Sequence, residues 1–180
     1  MAASCGFISG IAGGLMKHNG AMVWISNNRN IFPPALKAFG IMPERVIFIQ
    51  LKKEKELLWV MEEALKCEGL AAVIGEITEL GFTASRRLQL AVEESRVTGF
   101  ILRRNPKNIN TTACLTRWQI TTASSETENN MPGVGYPRWN VELLKVRNGT
   151  AGKWQLEFAG GQFRQVSKIV IIPDQQRKTG

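Results

Sequence analysis

The chain has 180 residues, of which 44% are hydrophobic and 21% are charged, with a formal net charge of +8. This length and balance are typical of one soluble globular domain, which we expect over residues 1–172 with a frayed tail at 173–180. No apolar run approaches the ~18 residues of a membrane helix. The apolar stretch 5–16 lacks a basic segment before it and a cleavage pattern after it, which argues against a signal peptide.

The cysteines argue against both a disulfide framework and a zinc site. Cys5, Cys67 and Cys114 are odd in number and far apart, and His18 is the one histidine. We therefore expect three reduced thiols in a cytoplasmic protein, with no metal and no cofactor.

Positive charge is concentrated in the second half of the chain. Residues 1–99 hold 11 Lys/Arg and 10 Asp/Glu, whereas residues 100–180 hold 12 Lys/Arg and 5 Asp/Glu, a net of +7. A basic half indicates a polyanion or an acidic protein surface as partner. Charge alone does not choose between the two.

The first hundred residues alternate between strand and helix patterns. Apolar strands are predicted at 21–26, 46–50, 71–76 and 98–102. Helical spacing predicts helices over 4–18, 53–67 and 83–95, and Pro33-Pro34 opens a shorter one. We interpret Thr83 as the N-cap of the third long helix and Gly13-Gly14 as a site of close helix–sheet packing. Such alternation favours a parallel sheet covered on both faces, over about 1–104.

The pattern changes after Arg103 to a period of two. Segments 114–121, 139–147 and 153–159 alternate apolar and polar residues, which predicts antiparallel strands over about 112–168. The link 148–152 is predicted to be a hairpin turn. The fold class is therefore α/β, a mainly parallel sheet flanked by helices with a C-terminal antiparallel β extension.

Catalytic motifs are missing from the sequence. There is no G-x-x-x-x-G-K-[ST] phosphate loop and no G-x-G-x-x-G after a strand, and His18 has no partner at a recognisable spacing. We therefore expect a protein that is not an enzyme. The remaining candidate site is basic, and it is interpreted either as solvated surface or as a contact for nucleic acid or an acidic partner: Arg103, Arg104, Lys107, Lys145 and Arg147.

Four segments together resemble a known family. They are WISNNRNIFPPALKAFGI (24–41), LLWVMEEALKCEGLAAVIGEI (57–77), FTASRRLQLAVEESRVTGFILR (82–103) and PRWNVELLKVRNG (137–149). The chain is similar, from about Phe7 to Arg164, to the ImuA family of error-prone repair proteins, diverged relatives of RecA with SulA more distant. The resemblance implies a RecA-like core and a role in the damage-induced mutasome. Its partners there are ImuB, an inactive relative of Y-family polymerases, and an error-prone replicative-type polymerase.

The resemblance also assigns positions. The strand AMVWIS matches the one that RecA ends with its catalytic glutamate, but here Ser26, Asn27 and Asn28 follow. The strand AAVIGEI matches the magnesium strand, with Gly75 or Glu76 at the position of the acid, and we interpret Glu76 as the polar end of a structural strand. Lys145 and Arg147 match paired lysines that reach a neighbouring subunit's nucleotide in RecA filaments.

The chain begins at the edge of the helix that follows the phosphate loop in RecA. The resemblance thus implies an N-terminally truncated product or a shorter variant, with an exposed sheet edge or apolar patch.

The leading hypothesis is a non-catalytic adaptor that docks ImuB and helps to seat the polymerase at damaged DNA. The alternatives are a DNA-binding recombination-type factor that uses the basic second half, and a SulA-like inhibitor of cell division. Under the leading hypothesis, reversing Lys145 and Arg147 to Glu is expected to weaken the complex without unfolding the domain.

Overall fold

The computed structural model describes residues 2–18, 20–104, 110–125 and 134–168. The chain divides into two compact units, Met1–Cys114 and Leu115–Gly180. The predicted basic residue Lys107 and the predicted tail 173–180 lie outside the described residues. No helix in the described ranges is long and apolar enough to cross a membrane.

The first unit contains a parallel sheet of four strands. Its α-helices are α1 (Ala2–Leu15), α2 (Glu54–Leu65) and α3 (Phe82–Ser95), and its strands are β1 (Ala21–Ser26), β2 (Val46–Gln50), β3 (Leu70–Ile77) and β4 (Thr98–Arg103). Short 3-10 helices cover Met16–His18, Pro33–Phe39 and Pro43–Arg45. The strand order is β2-β1-β3-β4, and every neighbouring pair is parallel.

Helices cover both faces of this sheet. Successive residues of a strand point to opposite sides, and the apolar residues on each side need a cover. Val23 and Ile25 of β1 pack with Leu57, Met61 and Leu65 of α2, in a cluster that also contains residues of α3. The intervening residues of β1 pack on the other face, against α1 and the 3-10 helix Pro33–Phe39. Each face thus buries its own apolar cluster, as the sequence pattern predicts for a parallel sheet.

The second unit contains a separate antiparallel sheet in the order β5-β6-β7-β8. Its strands are β5 (Thr116–Ala123), β6 (Arg138–Val146), β7 (Gly152–Ala159) and β8 (Gln162–Lys168). The predicted turn at 148–152 joins β6 to β7, with Asn148 at a φ of 60°. The α/β class with an antiparallel C-terminal part is therefore confirmed.

Two local predictions are wrong. Thr83 does not cap α3, because the helix begins earlier: the N-cap is Gly81, two residues before Thr83, and its carbonyl accepts the hydrogen bond of the Ser85 N–H at 3.1 Å. Gly13 does allow a close approach, but its neighbour is the Phe39 carbonyl of a 3-10 helix rather than the sheet. An added Cβ at Gly14 would have no contact within 4 Å.

Candidate functional site

The strand β3 places Gly75 and Glu76 on opposite faces of the parallel sheet. A Cβ added at Gly75 would lie 2.5 Å from Met61 Sδ of α2, so this position is small because α2 packs directly against it. Glu76 faces the other side, where its neighbours two and four residues earlier on β3 pack against α1. Of the two predicted magnesium-strand positions, Glu76 thus carries the only carboxylate, and Gly75 leaves room for the packing of α2.

Both carboxylate oxygens of Glu76 are engaged inside the protein. Trp24 Nε1 of β1 donates a hydrogen bond to Oε1 at 3.0 Å. Arg104, directly after β4, donates from Nε and Nη2 to Oε2 at 3.2 and 2.6 Å. The Glu76 side chain is 0% exposed and the Arg104 side chain 21% exposed. Burial of a carboxylate requires such a partner, because an isolated charge loses its hydration without compensation.

Neutral groups complete the surroundings of this ion pair. With its amide oriented to satisfy both of its polar atoms, Asn28 accepts a hydrogen bond from Arg104 Nη1 at 2.9 Å. The Ser26 hydroxyl donates to the Asn28 carbonyl at 2.6 Å, which fixes the loop after β1. Burial raises the pKa of the Cys5 thiol to about 11, and the Glu76 carboxylate adds to that rise. The thiol is therefore a neutral neighbour at physiological pH.

The Glu76 site does not fit a magnesium ion. Magnesium takes oxygen ligands in near-octahedral geometry, whereas the oxygens of this carboxylate already accept hydrogen bonds from an indole and a guanidinium. Across the described ranges, no group of three or more His, Cys, Asp and Glu side chains could hold a metal ion. Ser26, Asn27 and Asn28 offer a hydroxyl and two amides, and none of these groups acts as a base at neutral pH.

The structure separates the predicted basic residues into the two units. Arg103 and Arg104 belong to the first unit, where Arg103 Nη2 donates to the Thr78 carbonyl at 3.4 Å and Arg104 binds Glu76. Lys145 and Arg147 belong to the second unit and are exposed. Lys145 is the cross-strand partner of Arg117, which was absent from the sequence prediction.

Comparison with known proteins identifies the family. Two proteins named ImuA, from Caulobacter vibrioides strains NA1000 / CB15N and ATCC 19089 / CIP 103742 / CB 15, are each 34% identical over 183 residues. The match covers 93% of this chain and 75% of each relative. The chain belongs to the ImuA family. No family model matches it.

Solved structures show the fold of this ImuA-family chain. The RadB recombinase superposes with a TM-score of 0.53 at 15% identity, covering 89% of this chain and 87% of RadB. SulA from Pseudomonas aeruginosa has a TM-score of 0.48 at 19% identity, covering 55% of this chain and 85% of SulA. The RadB match confirms the RecA-like core.

For an ImuA-family protein, the unexpected feature is the role of Arg104. The sequence places Arg104 among basic residues interpreted as solvated surface or as a partner contact, yet it is the counterion of Glu76. The apolar run before Glu76 and the basic pair Arg103-Arg104 at the end of β4 are the sequence features that indicate this contact, because neighbouring parallel strands end at the same edge of a sheet. The sequence does not show that these two strands are neighbours.

Proposed function

We propose that this ImuA-family chain is a non-catalytic accessory protein of error-prone DNA repair. It acts in translesion synthesis during the SOS response, as a cytoplasmic adaptor between proteins. Its partners are an ImuB-type inactive relative of Y-family polymerases and an error-prone replicative-type DNA polymerase. Membership of the ImuA family supports the involvement in the DNA damage response, and the RecA-like fold is consistent with it.

The observation that carries the non-catalytic part is the ion pair of Glu76 with Arg104. Nucleotide hydrolysis on a RecA-like core needs a carboxylate available for the metal ion and a group that positions water. Here the Arg104 guanidinium lies 2.6 Å from Glu76 Oε2, so an internal cation holds the carboxylate. The RecA-like core then serves as a rigid body that presents surfaces to partners.

The proposal that the chain is not catalytic is tested by measuring ATP hydrolysis with purified protein in the presence of Mg²⁺. We expect no turnover above background for the natural chain and none for Glu76→Gln. Mg²⁺-dependent turnover by the natural chain that disappears in Glu76→Gln and persists in Glu142→Gln would overturn the proposal. Glu142 is a matched control because it pairs with Lys153 in the second unit.

The adaptor part is tested by co-purification. A tagged chain is expressed with its ImuB-type partner, and the lysate is treated with nuclease before capture. Because an adaptor contacts its partner through protein surfaces, retention of the partner is expected to be insensitive to nuclease. Loss of the partner after nuclease treatment contradicts a direct protein contact.

A further inference from the structure

The strand β2 lies at one edge of the parallel sheet. In the order β2-β1-β3-β4 it pairs with β1 alone, within the part of the chain that the structure describes. The register places Phe48 beside Trp24, on the face that packs against α1, and Ile49 beside Ile25, on the face that packs against α2. Both faces of the sheet therefore continue out to this edge.

This edge exposes large apolar side chains on both faces. Ile47 is 53% exposed and Phe48 is 42% exposed, although the two side chains point to opposite sides of the sheet. The strand β4 at the other edge differs, because Leu102 is buried and Phe100 and Ile101 are half-buried. Exposed apolar surface at the end of a sheet indicates a contact site, since the side chains of a further strand would cover it.

The sequence of β2 has none of the features that usually protect a sheet edge. Protected edges carry a lysine, a proline or a bulge, and each of these hinders the pairing of another strand. The strand VIFIQ contains no charged residue, no proline and no glycine, and its pairing with β1 continues without a shift from Val46 to Gln50. A regular apolar strand of this kind is suited to accept another strand.

The backbone of β2 offers hydrogen-bonding groups on its outer side. The Leu51 N–H donates to the last residue of β1 at 3.0 Å, so every second residue counted back from Leu51 directs its backbone groups toward β1. Phe48 and Gln50 alternate with these residues and direct their N–H and C=O groups outward. Val46 directs its carbonyl outward as well, while its N–H donates to the Pro43 carbonyl of the preceding 3-10 helix. An added strand would pair with these outward groups.

The strand is complementary to a second copy of itself. Two copies related by a two-fold axis pair antiparallel, and the whole of β2 finds partners only when Phe48 lies opposite Phe48 of the other copy. In that register each Phe48 N–H meets the other Phe48 carbonyl, and each Gln50 N–H meets the other Val46 carbonyl. Ile47 lies opposite Ile49, so apolar side chains meet on both faces of the joined sheet.

Charges at the two ends of β2 favour the same arrangement. Glu44 precedes the strand, Lys52 follows it, and both side chains are exposed. Antiparallel pairing about Phe48 brings Glu44 of each copy to Lys52 of the other, because the two residues are equally far from Phe48 along the chain. Parallel pairing of the same two strands would instead place like charges together, which is unfavourable.

We propose that β2 is a dimer interface, at which a second copy of this chain adds its own β2 in antiparallel orientation and the two four-stranded sheets become one. The contact involves few residues compared with the ~20–30 on each side of a standard protein interface. The dimer is therefore expected to be reversible and to dissociate on dilution. Because each copy has one β2 edge and uses it, assembly ends at two chains. Dimer formation is independent of the proposed adaptor role.

The test is sedimentation equilibrium of the purified chain between about 1 and 200 μM, a range in which small interfaces dissociate. The average mass of the natural chain is expected to rise from 20.0 kDa toward twice that value with increasing concentration. Phe48→Lys places like charges opposite each other at the centre of the interface and is expected to keep the protein monomeric. Thermal unfolding confirms that the variant is folded.

A charge reversal tests whether the added strand belongs to a second copy. Glu44→Lys is expected to raise the dissociation constant of the dimer roughly tenfold, because attractive contacts become repulsive on both sides of the axis. Glu44→Lys/Lys52→Glu restores opposite charges and is expected to return the constant to that of the natural chain. The matched control is Glu94→Lys, which makes the same change of net charge at an exposed residue of α3 and is expected to leave the dimer unchanged.

Hydrogen exchange of single amides tests the pairing itself. The N–H groups of Phe48 and Gln50 are expected to be protected in the dimer and to exchange quickly in dilute solution. The Ile49 N–H is expected to stay protected in both, because it points toward β1. A dimer in which the Phe48 and Gln50 amides exchange as fast as in the monomer overturns the inference.

The remaining outcomes are equally distinct. A dimer that Phe48→Lys abolishes and that the double charge reversal restores supports the inference. A natural chain that stays monomeric, or that assembles beyond two copies, overturns it. Equal affinities of the single and double charge variants, or an unchanged dimer in a folded Phe48→Lys variant, overturn it as well.

Co-purification of the ImuB-type partner with the Phe48→Lys variant tests the other possible occupant. If the natural chain is monomeric and the variant loses this partner, the β2 edge binds a strand of another protein. The inference then fails while the adaptor role stands. A dimeric natural chain whose Phe48→Lys variant is monomeric and still retains the partner supports the inference and leaves the adaptor role intact.

Discussion

Arg104 donates two hydrogen bonds to a single carboxylate oxygen of Glu76, 28 residues earlier in the chain. Glu76 lies near the end of β3, and Arg104 directly follows β4, the parallel strand next to β3. Formation of the ion pair therefore depends on the pairing of these two strands. Because the Glu76 side chain is fully buried, neither charge can be kept without the other.

Removing the carboxylate alone is predicted to destabilise the first unit strongly. Glu76→Ala leaves the Arg104 guanidinium and the Trp24 N–H without the Glu76 carboxylate as acceptor. Breaking a buried pair in this way lowers the free energy of unfolding by about 3–5 kcal/mol. Urea unfolding measures the loss. The double variant Glu76→Leu/Arg104→Leu is expected to regain most of it, since no unpaired charge remains.

An exposed ion pair provides the control for that experiment. Glu142 and Lys153 are 2.9 Å apart, with side chains 32% and 40% exposed. Glu142→Ala is expected to lower the free energy of unfolding by less than about 1 kcal/mol, because solvent screens the charges of an exposed pair. Equal losses for Glu76→Ala and Glu142→Ala would contradict the assigned role of Glu76.

The indole of Trp24 is predicted to contribute through its N–H as well as its bulk. Trp24→Phe removes the donor to Glu76 Oε1, and a hydrogen bond to a charged group contributes about 1.5–3 kcal/mol. A double-mutant cycle with Glu76→Leu, which removes the acceptor, isolates this term from the lost ring volume. Strict additivity of the two changes in unfolding free energy argues against the coupling.

Adjacent glycines of α1 are predicted to respond in opposite directions to the same substitution. Gly13→Ala places a methyl group against the Phe39 carbonyl, and such overpacking costs about 1–3 kcal/mol. Gly14→Ala meets no atom within 4 Å and is expected to gain up to about 1 kcal/mol of helix propensity. Thermal unfolding of the two variants makes the comparison, and a stabilising Gly13→Ala would contradict the close approach.

The thiols are predicted to differ in reactivity. Burial raises the pKa of Cys5 from 9.0 to about 11, which lowers its thiolate fraction at pH 8 by about a hundredfold, whereas Cys67 is exposed. Mass spectrometry after brief iodoacetamide treatment is expected to find Cys67 modified and Cys5 unmodified. In urea both should react, and rapid labelling of Cys5 in the folded protein would contradict its burial.

The raised pKa of Cys5 predicts how the stability of the protein changes with pH. Because the unfolded thiol ionises near pH 9 while the folded thiol keeps its proton to about pH 11, the unfolded state loses its proton first as the pH rises. The contribution of Cys5 to stability is therefore present below pH 9 and is lost between about pH 9 and 11. Cys5→Ser should flatten this part of the pH profile, measured by urea unfolding.

Periodicity was sufficient to predict most of the fold. Every strand of the parallel sheet lies where an apolar run indicated it, because a strand buried on both faces has few polar positions. The strand β8 was missed since its sequence, QFRQVSK, carries few apolar residues. It forms because Gly160 and Gly161, at φ of 59° and 74°, turn the chain back onto β7.

The candidate site was less predictable because it depends on pairing between distant segments. Glu76 could be placed at the end of a strand, but its contact with Arg104 requires that β3 and β4 be neighbours. Arg117 was missed for a related reason: its significance comes from lying opposite Lys145, and cross-strand register is not contained in either segment alone. The assignment of Lys145 and Arg147 to a binding surface stays a prediction.

The distance along the chain between Glu76 and Arg104 has a consequence for synthesis. A nascent chain that ends before residue 104 already contains the carboxylate and most of the parallel sheet, yet it lacks the guanidinium that neutralises Glu76. Protein synthesis proceeds at about 5–20 residues per second, so the interval lasts about 1–6 seconds. During that interval the Glu76 carboxylate stays in contact with water, because its internal counterion has not yet been synthesised.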